Sequence, residues 1–228
     1  MLAQALEIAR SSGDEWIEAR VLSAQGVIAY TVDDLDEARR IWGECRAIYE
    51  RIGDSWGVSR TMHLSAAVLW QRGDAKSAAP IFREVASIRR ALGDDSAAAA
   101  IEVKAALCAV ADEGSEQFLR AIDDALATAR RLGDPRLAAA VLAVKATWAL
   151  SVGDLPLARG LLEESEAMGG EHNFLQFRDS VGARVRRLDG HLDEARRYAT
   201  NGLAYAARVH TPVGTAEALD TIAPIIAA

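Results

Sequence analysis

The feature that most constrains this chain is a break that returns at a fixed interval. Arg51-Ile52-Gly53-Asp54, Ala91-Leu92-Gly93-Asp94 and Arg131-Leu132-Gly133-Asp134 stand 40 residues apart, and Ser12-Gly13-Asp14 lies one period earlier. A constant period of this size marks a stack of repeated supersecondary units. A second series falls between these breaks: Asp33-Asp34, Gly73-Asp74, Glu113-Gly114, Gly153-Asp154 and Asp189-Gly190. Glycine is the residue that closes a helix in the left-handed conformation, and aspartate is a strong helix N-cap. Each Gly-Asp therefore reads as the end of one helix and the start of the next.

Between breaks the apolar residues recur at helical spacing. The pattern predicts helices over about 2–12, 15–31, 36–52, 55–72, 75–92, 95–112, 115–132, 136–152, 155–169, 174–189, 192–209 and 213–227. Gly133-Asp134-Pro135 is the sharpest boundary, with proline at the first helical position. Gly169-Gly170 and the polar run to Asn173 form the longest expected loop, and Pro224 should kink or stop the last helix. Period-two alternation is absent, so no strand is predicted. Connections of two to four residues make consecutive helices antiparallel neighbours.

Two columns of small residues support that pairing. Seven residues before the intermediate breaks sit Gly26, Ala66, Ala106, Ala146 and Ala183; five after them sit Ala38, Ala78, Phe118, Ala158 and Ala195. Small side chains let helices cross closely. Ile41, Ile81, Leu161 and Tyr198 fill neighbouring positions and should pack between repeats. Phe118 and the Glu113-Gly114 break depart from the pattern, which predicts a locally wider or re-angled pair over 95–132.

Composition limits the chemistry. Half of the 228 residues are apolar and the net charge is -7, the wrong sign for general nucleic-acid binding. The two cysteines, Cys45 and Cys108, are isolated, which fits a reducing compartment and argues against disulfides or a zinc site. No apolar run reaches the roughly 20 residues that span a bilayer, and the N-terminus lacks the layout of a signal peptide. The arginine- and alanine-rich composition points to a GC-rich bacterial genome.

Small residues twelve apart with Gly-Asp between them resemble tetratricopeptide repeats. The run from Leu155-Pro156-Leu157-Ala158 through Ser165 is similar to that family's second helix. The 40-residue period resembles the longer repeats of MalT- and LuxR-type bacterial transcription regulators and related signalling ATPases. The resemblance implies an all-α, right-handed superhelical solenoid of antiparallel helix pairs. One solenoid is expected over 1–228, with pairs at 15–52, 55–92, 95–132, 135–170 and 173–210 and half-repeats at 1–12 and 213–228. Opening on a second helix and closing on a first reads as a segment of a longer array, or as caps unlike the internal repeats. The phosphate-binding GxxxxGK[ST] loop and helix-turn-helix of those regulators are not seen, so ATPase and DNA-reading roles are not carried over.

The resemblance also implies that the first helix of each pair lines a concave face. Projected onto this chain, the face holds Arg20, Ser23, Val27 and Tyr30, then Arg60, His63, Ala67, Trp70 and Gln71. Ala100, Val103, Leu107 and Val110 follow, then Ala143, Thr147 and Leu150, and finally Phe177, Ser180, Arg184 and Arg187. Its ends are basic and aromatic, types enriched at binding hot spots, and its middle is apolar. The expected ligand sites are Arg20, Tyr30, Arg60, His63, Trp70, Gln71, Phe177, Arg184 and Arg187. An elongated acidic peptide, or another protein or small ligand, would suit them; nucleic acid and membrane are not expected partners. Trp16 and Trp56 are expected to pack against the preceding loops, with rim contacts to a partner as the alternative, and Trp42 and Trp148 to serve as core. Cys45 reads as a small buried hydrophobe. The aspartates read as caps, and the four histidines are too scattered for a metal site. No catalytic grouping, cofactor site or metal site is assigned. The expectation is a non-catalytic cytoplasmic binding module, the sensor or interaction part of a bacterial transcription or signalling regulator. A free-standing adaptor is the alternative, and an enzyme or enzyme accessory on a solenoid scaffold is third.

Overall fold

The computed structural model describes residues 2–168 and 175–209, with side chains described up to 168 and over 178–205. Among the described residues every regular element is an α-helix. They are α1 (Leu2–Ser12), α2 (Glu15–Thr31), α3 (Leu35–Ile52), α4 (Ser55–Gln71), α5 (Ala75–Ala91), α6 (Asp95–Glu113), α7 (Ser115–Leu132), α8 (Pro135–Ser151), α9 (Leu155–Met168), α10 (Leu175–Leu188) and α11 (Leu192–Val209). The helix expected at 213–227, the loop at 169–173, His172 and His210 lie outside the described residues.

The Gly-Asp breaks work as their chemistry demands. Gly13, Gly53, Gly73, Gly93, Gly133 and Gly153 all have φ between 63° and 83°, the left-handed region that glycine enters without strain. The aspartate that follows then accepts a backbone N–H of the next helix. Asp14 Oδ1 accepts from Ile17, Asp54 from Gly57, Asp94 from Ala97, and Asp134 from both Arg136 and Leu137, at 2.9–3.2 Å. Asp34, Asp74 and Asp154 cap α3, α5 and α9 in the same way. Asp33 fills a glycine position with φ 63°, the one non-glycine in that region among the described residues.

The chain divides into two compact units, Met1–Gly114 and Ser115–Ala228. The division falls at Glu113-Gly114, inside the pair whose break and small column depart from the pattern. Gly114 takes φ 86° and ψ 168°, a region nearly closed to other residues.

In the first unit, consecutive helices from α1 to α6 pack on one another. Gly26 lies directly against the Trp42 indole, and a Cβ placed there would be 2.3 Å from Nε1. Trp42 is 1% exposed and donates from Nε1 to Ser23 O. Gly57 meets the Tyr49 ring in the same manner. Ala38, Ala66 and Ala78 are fully buried, whereas Ala106 is half-buried. Cys45 is fully buried with its Sγ on Ala19 O, and burial pushes its thiol up to about 11, which makes it inert core. In the second unit Ala146, Ala158, Ala183 and Ala195 are fully buried, and Gly182 meets the Tyr198 ring. There α8, α9 and α10 share one core, with Leu162, Val181 and Val185 at its centre and Trp148 against its edge.

A tryptophan–cation face on the first unit

The first unit holds the most distinctive surface, built on α2, α4, α5 and α6. Helix α2 presents Trp16 and Arg20 one turn apart, and α4 presents Trp56 and Arg60 at the same positions of the repeat. A four-residue spacing puts the guanidinium over the indole. Arg20 Cζ lies 5.3 Å from the Trp16 ring centre and Arg60 Cζ lies 5.7 Å from that of Trp56. Arg89 of α5 lies 4.8 Å from the same Trp56 ring. Trp16 and Trp56 are 51% and 44% exposed, so neither packs away against a loop as expected. The correction has a physical reason: both stand in the first turn of a helix, at the edge of the packed layer, and an arginine covers them instead of the core.

One turn further along α4, His63 meets Lys104 of α6, with 3.3 Å between Nζ and Nε2. The His63 ring stands edge-on to Phe82 at 5.4 Å, and Trp70 does the same at 6.3 Å. Burial, followed by the charges of Lys104 and Arg89, pushes the His63 imidazole down to about 3, so it is neutral at pH 7 and can accept from the ammonium. Burial also lowers Lys104 to about 8. The Arg89 side chain is 10% exposed, its Nε is buried with no hydrogen-bond partner among the described residues, and its carboxylate contact to Asp94 is long at 3.5 Å. Arg60, Arg89 and Lys104 thus concentrate positive charge around two aromatic surfaces.

Elsewhere on this unit most arginines are matched by carboxylates, exposed Arg39 of α3 being outside the ion pairs among the described residues. Arg10 pairs with Glu18, Arg51 with Glu15, Arg72 with Asp36, Arg83 with Glu113 and Arg90 with Glu102. Arg40 sits between Glu37 and Glu44, and Arg46 pairs with Glu50. Arg20 and Arg60 have no carboxylate within ion-pair distance among the described residues; they lie on tryptophan.

The other expected site residues are dispersed. Tyr30 is half-buried, 6.0 Å from Trp42, and burial raises its hydroxyl. Gln71 is half-buried, with its side-chain oxygen unpartnered among the described residues. In the second unit Arg184 is exposed and Arg187 half-buried, while the Phe177 side chain lies outside the described residues. Ser23, Val103, Ala143 and Ser180, projected onto the open face, are buried instead. Lys104, Phe82 and Arg89 were missed. Lys104 was legible as the one cation in the 97–110 run, where Glu102 is the only other charged residue, but the projection took its neighbour Val103, which is fully buried.

Residues 17–91 match the tetratricopeptide repeat family model, about a third of the chain. No curated protein matches in sequence. Among solved structures, BtubC (BKLC) from P. vanneervenii aligns with a TM-score of 0.66 at 16% identity, covering 92% of this chain and 88% of that one. At that identity the likeness speaks for the fold alone. Residues 17–91 carry tetratricopeptide repeats, and the fold in which they sit is an all-helical array of tetratricopeptide type.

Proposed function

We propose that this chain is a non-catalytic module that binds an acidic protein or peptide through the first helices of its repeats. In this reading it is the sensor or interaction part of a bacterial transcriptional or signalling regulator, working in the cytoplasm. Tetratricopeptide repeats support the general role of a protein-interaction module. The observation that carries the acidic preference is the contrast within the first unit. Arg40 and Arg46 of α3 and Arg83 and Arg90 of α5 are matched by carboxylates, while Arg20 and Arg60 lie on indoles. In a chain of net charge -7, such a face draws negatively charged partners by local field, not by overall charge.

Arg60→Glu with Trp70→Ala tests the reading. The double variant should lose partners that co-purify with the wild-type chain, while circular dichroism keeps its helical signal. Undiminished recovery of the same partners would move the site off α4. A free-standing adaptor shares this surface. The two readings separate on coupling: a sensor domain changes the activity of a domain attached to it when the partner binds, and an adaptor does not.

A further inference from the structure

A lysine amine becomes a nucleophile when it is set against apolar surface beside another cation, and Lys104 is set in that way. We propose that Lys104 is a covalent capture site, whose amine forms a reversible imine with a small aldehyde carrying an acid group, positioned by His63 and drawn by Arg89. This goes beyond protein docking and stands or falls without it.

Three helices build the setting. On α6 the neighbours of Lys104 on the same face, Ile101 and Cys108, are buried in one core cluster with Met62 of α4 and Phe82 of α5, and Trp70 packs against it. The Lys104 Nζ is 3.3 Å from His63 Nε2, and the His63 ring is edge-on to Phe82. Lys104 and His63 are both half-buried, so a small molecule in solvent reaches them. Burial holds the amine down to about 8, against about 10.5 for an ordinary lysine, with Cys108 opposing. Near pH 8 about half of the Lys104 amines then carry a free lone pair, against less than about 1% for an unperturbed lysine. The neutral imidazole accepts one N–H of the amine and leaves that lone pair open. Arg89 of α5 supplies the attraction for an acid group. Its charge acts on His63, its side chain is 10% exposed, and its Nε has no hydrogen-bond partner among the described residues. Asp94, 3.5 Å away, is also engaged as the cap of α6. Glu102, on the same helix as Lys104, is paired with Arg90. The step balances without an oxidant. The amine lone pair forms the C–N bond as the carbonyl π pair moves to oxygen, and one nitrogen proton passes through water to that oxygen, giving a carbinolamine. The C–O bond then breaks, and the oxygen leaves with the second nitrogen proton as one water. The imine removes the cost of holding an ammonium against apolar surface, and water reverses it.

The sequence supplies its own controls, because it holds three lysines, Lys76, Lys104 and Lys145. Lys76 is exposed and Lys145 is paired with Asp123. The full chain is treated with 4-formylbenzoate or with its methyl ester, the imine is trapped with cyanoborohydride, and peptide mass spectrometry reads each lysine. Near neutral pH, Lys104 should be labelled at least about tenfold faster than Lys76 or Lys145, with a rise centred near pH 8. The acid should outpace its ester at Lys104 by about fivefold or more, and Arg89→Gln should abolish that advantage while the ester still reacts. His63→Gln keeps a neutral acceptor and should preserve the pH profile. His63→Asp places a carboxylate beside the amine and should move the midpoint up by about one unit or more. Labelling that follows exposure, with Lys76 first, overturns the capture site. Equal labelling by acid and ester, or an advantage that survives Arg89→Gln, overturns the acidic ligand. A midpoint unmoved in His63→Asp overturns the positioning by His63. Circular dichroism checks each variant. If Arg89→Gln loses helicity, terephthalate decides the same point on the wild-type chain: this unreactive diacid should slow labelling by the acid, and no slowing overturns the acidic ligand.

Discussion

Gly26→Ala should destabilise this protein, although alanine is the better helix former. In the interior of an exposed helix the exchange stabilises by about 1 kcal/mol. At position 26 the new methyl would stand 2.3 Å from Trp42 Nε1, 2.6 Å from Cδ1 and 2.8 Å from Cε2, distances that no real contact reaches. The indole cannot step aside cheaply, since it is 1% exposed and holds a hydrogen bond to Ser23 O. Overpacking of a tight core costs about 1–3 kcal/mol, and disturbing that hydrogen bond adds about 1 kcal/mol. Against the propensity gain, the net loss is about 1–3 kcal/mol. Gly43 in α3 and Gly160 in α9 supply the control, because a Cβ at either position meets nothing within 4 Å. Gly43→Ala and Gly160→Ala should each stabilise by about 0.5–1 kcal/mol. Thermal unfolding followed by circular dichroism reads both signs, with a shift of about 2–4 °C per kcal/mol for a chain of this size. Gly26→Ala with Trp42→Phe should recover part of the loss, since neighbouring substitutions couple. A rise in midpoint for Gly26→Ala equal to that for Gly43→Ala would refute the close approach of α2 to α3.

Three further outcomes follow from the same structure. Asp33→Gly should stabilise by about 0.5 kcal/mol or more in urea titration, because it relieves a side chain held at φ 63°. Ala146→Leu should overfill the fully buried crossing of α8 with α9 and cost about 1–3 kcal/mol; an unchanged midpoint would mean the crossing is misplaced. The two units should answer oppositely to acid between pH 4 and 6.5, as read by hydrogen exchange in each. Asp179, pushed up to about 6 by burial, binds a proton in the folded state that the unfolded chain does not, so its destabilising effect grows as pH rises from about 4 to 6. His63, pushed down to about 3, refuses a proton that the unfolded chain takes, so the first unit loses stability as pH falls through about 6.5. Asp179→Asn and His63→Gln should each flatten the response of its own unit and leave the other unchanged.

The helical plan was legible because the breaks are chemical, not statistical. A left-handed glycine followed by a capping aspartate states where one helix stops and the next starts, and the observed boundaries of α2, α7 and α11 fall at the expected residues. The tight crossings were legible for the same reason, since a missing side chain at Gly26 or Ala66 leaves room for a neighbour. Which helix face would be open was harder to read. A helical wheel fixes angles within a helix but not the rotation set by packing, and a shift of one residue exchanged Lys104 for Val103. Trp16 and Trp56 were misjudged because tryptophan's size suggests core. Their companions Arg20 and Arg60, four residues on, were the available signal for an exposed stack.

The joints carry one more implication. Each Gly-Asp closes one helix and opens the next using atoms of its own few residues, with no help from a distant part of the chain. Cutting and rejoining between two such joints would remove or add a whole 40-residue module and leave every remaining joint intact. A gene encoding this protein could therefore gain or lose repeats by duplication or loss without inventing a new turn.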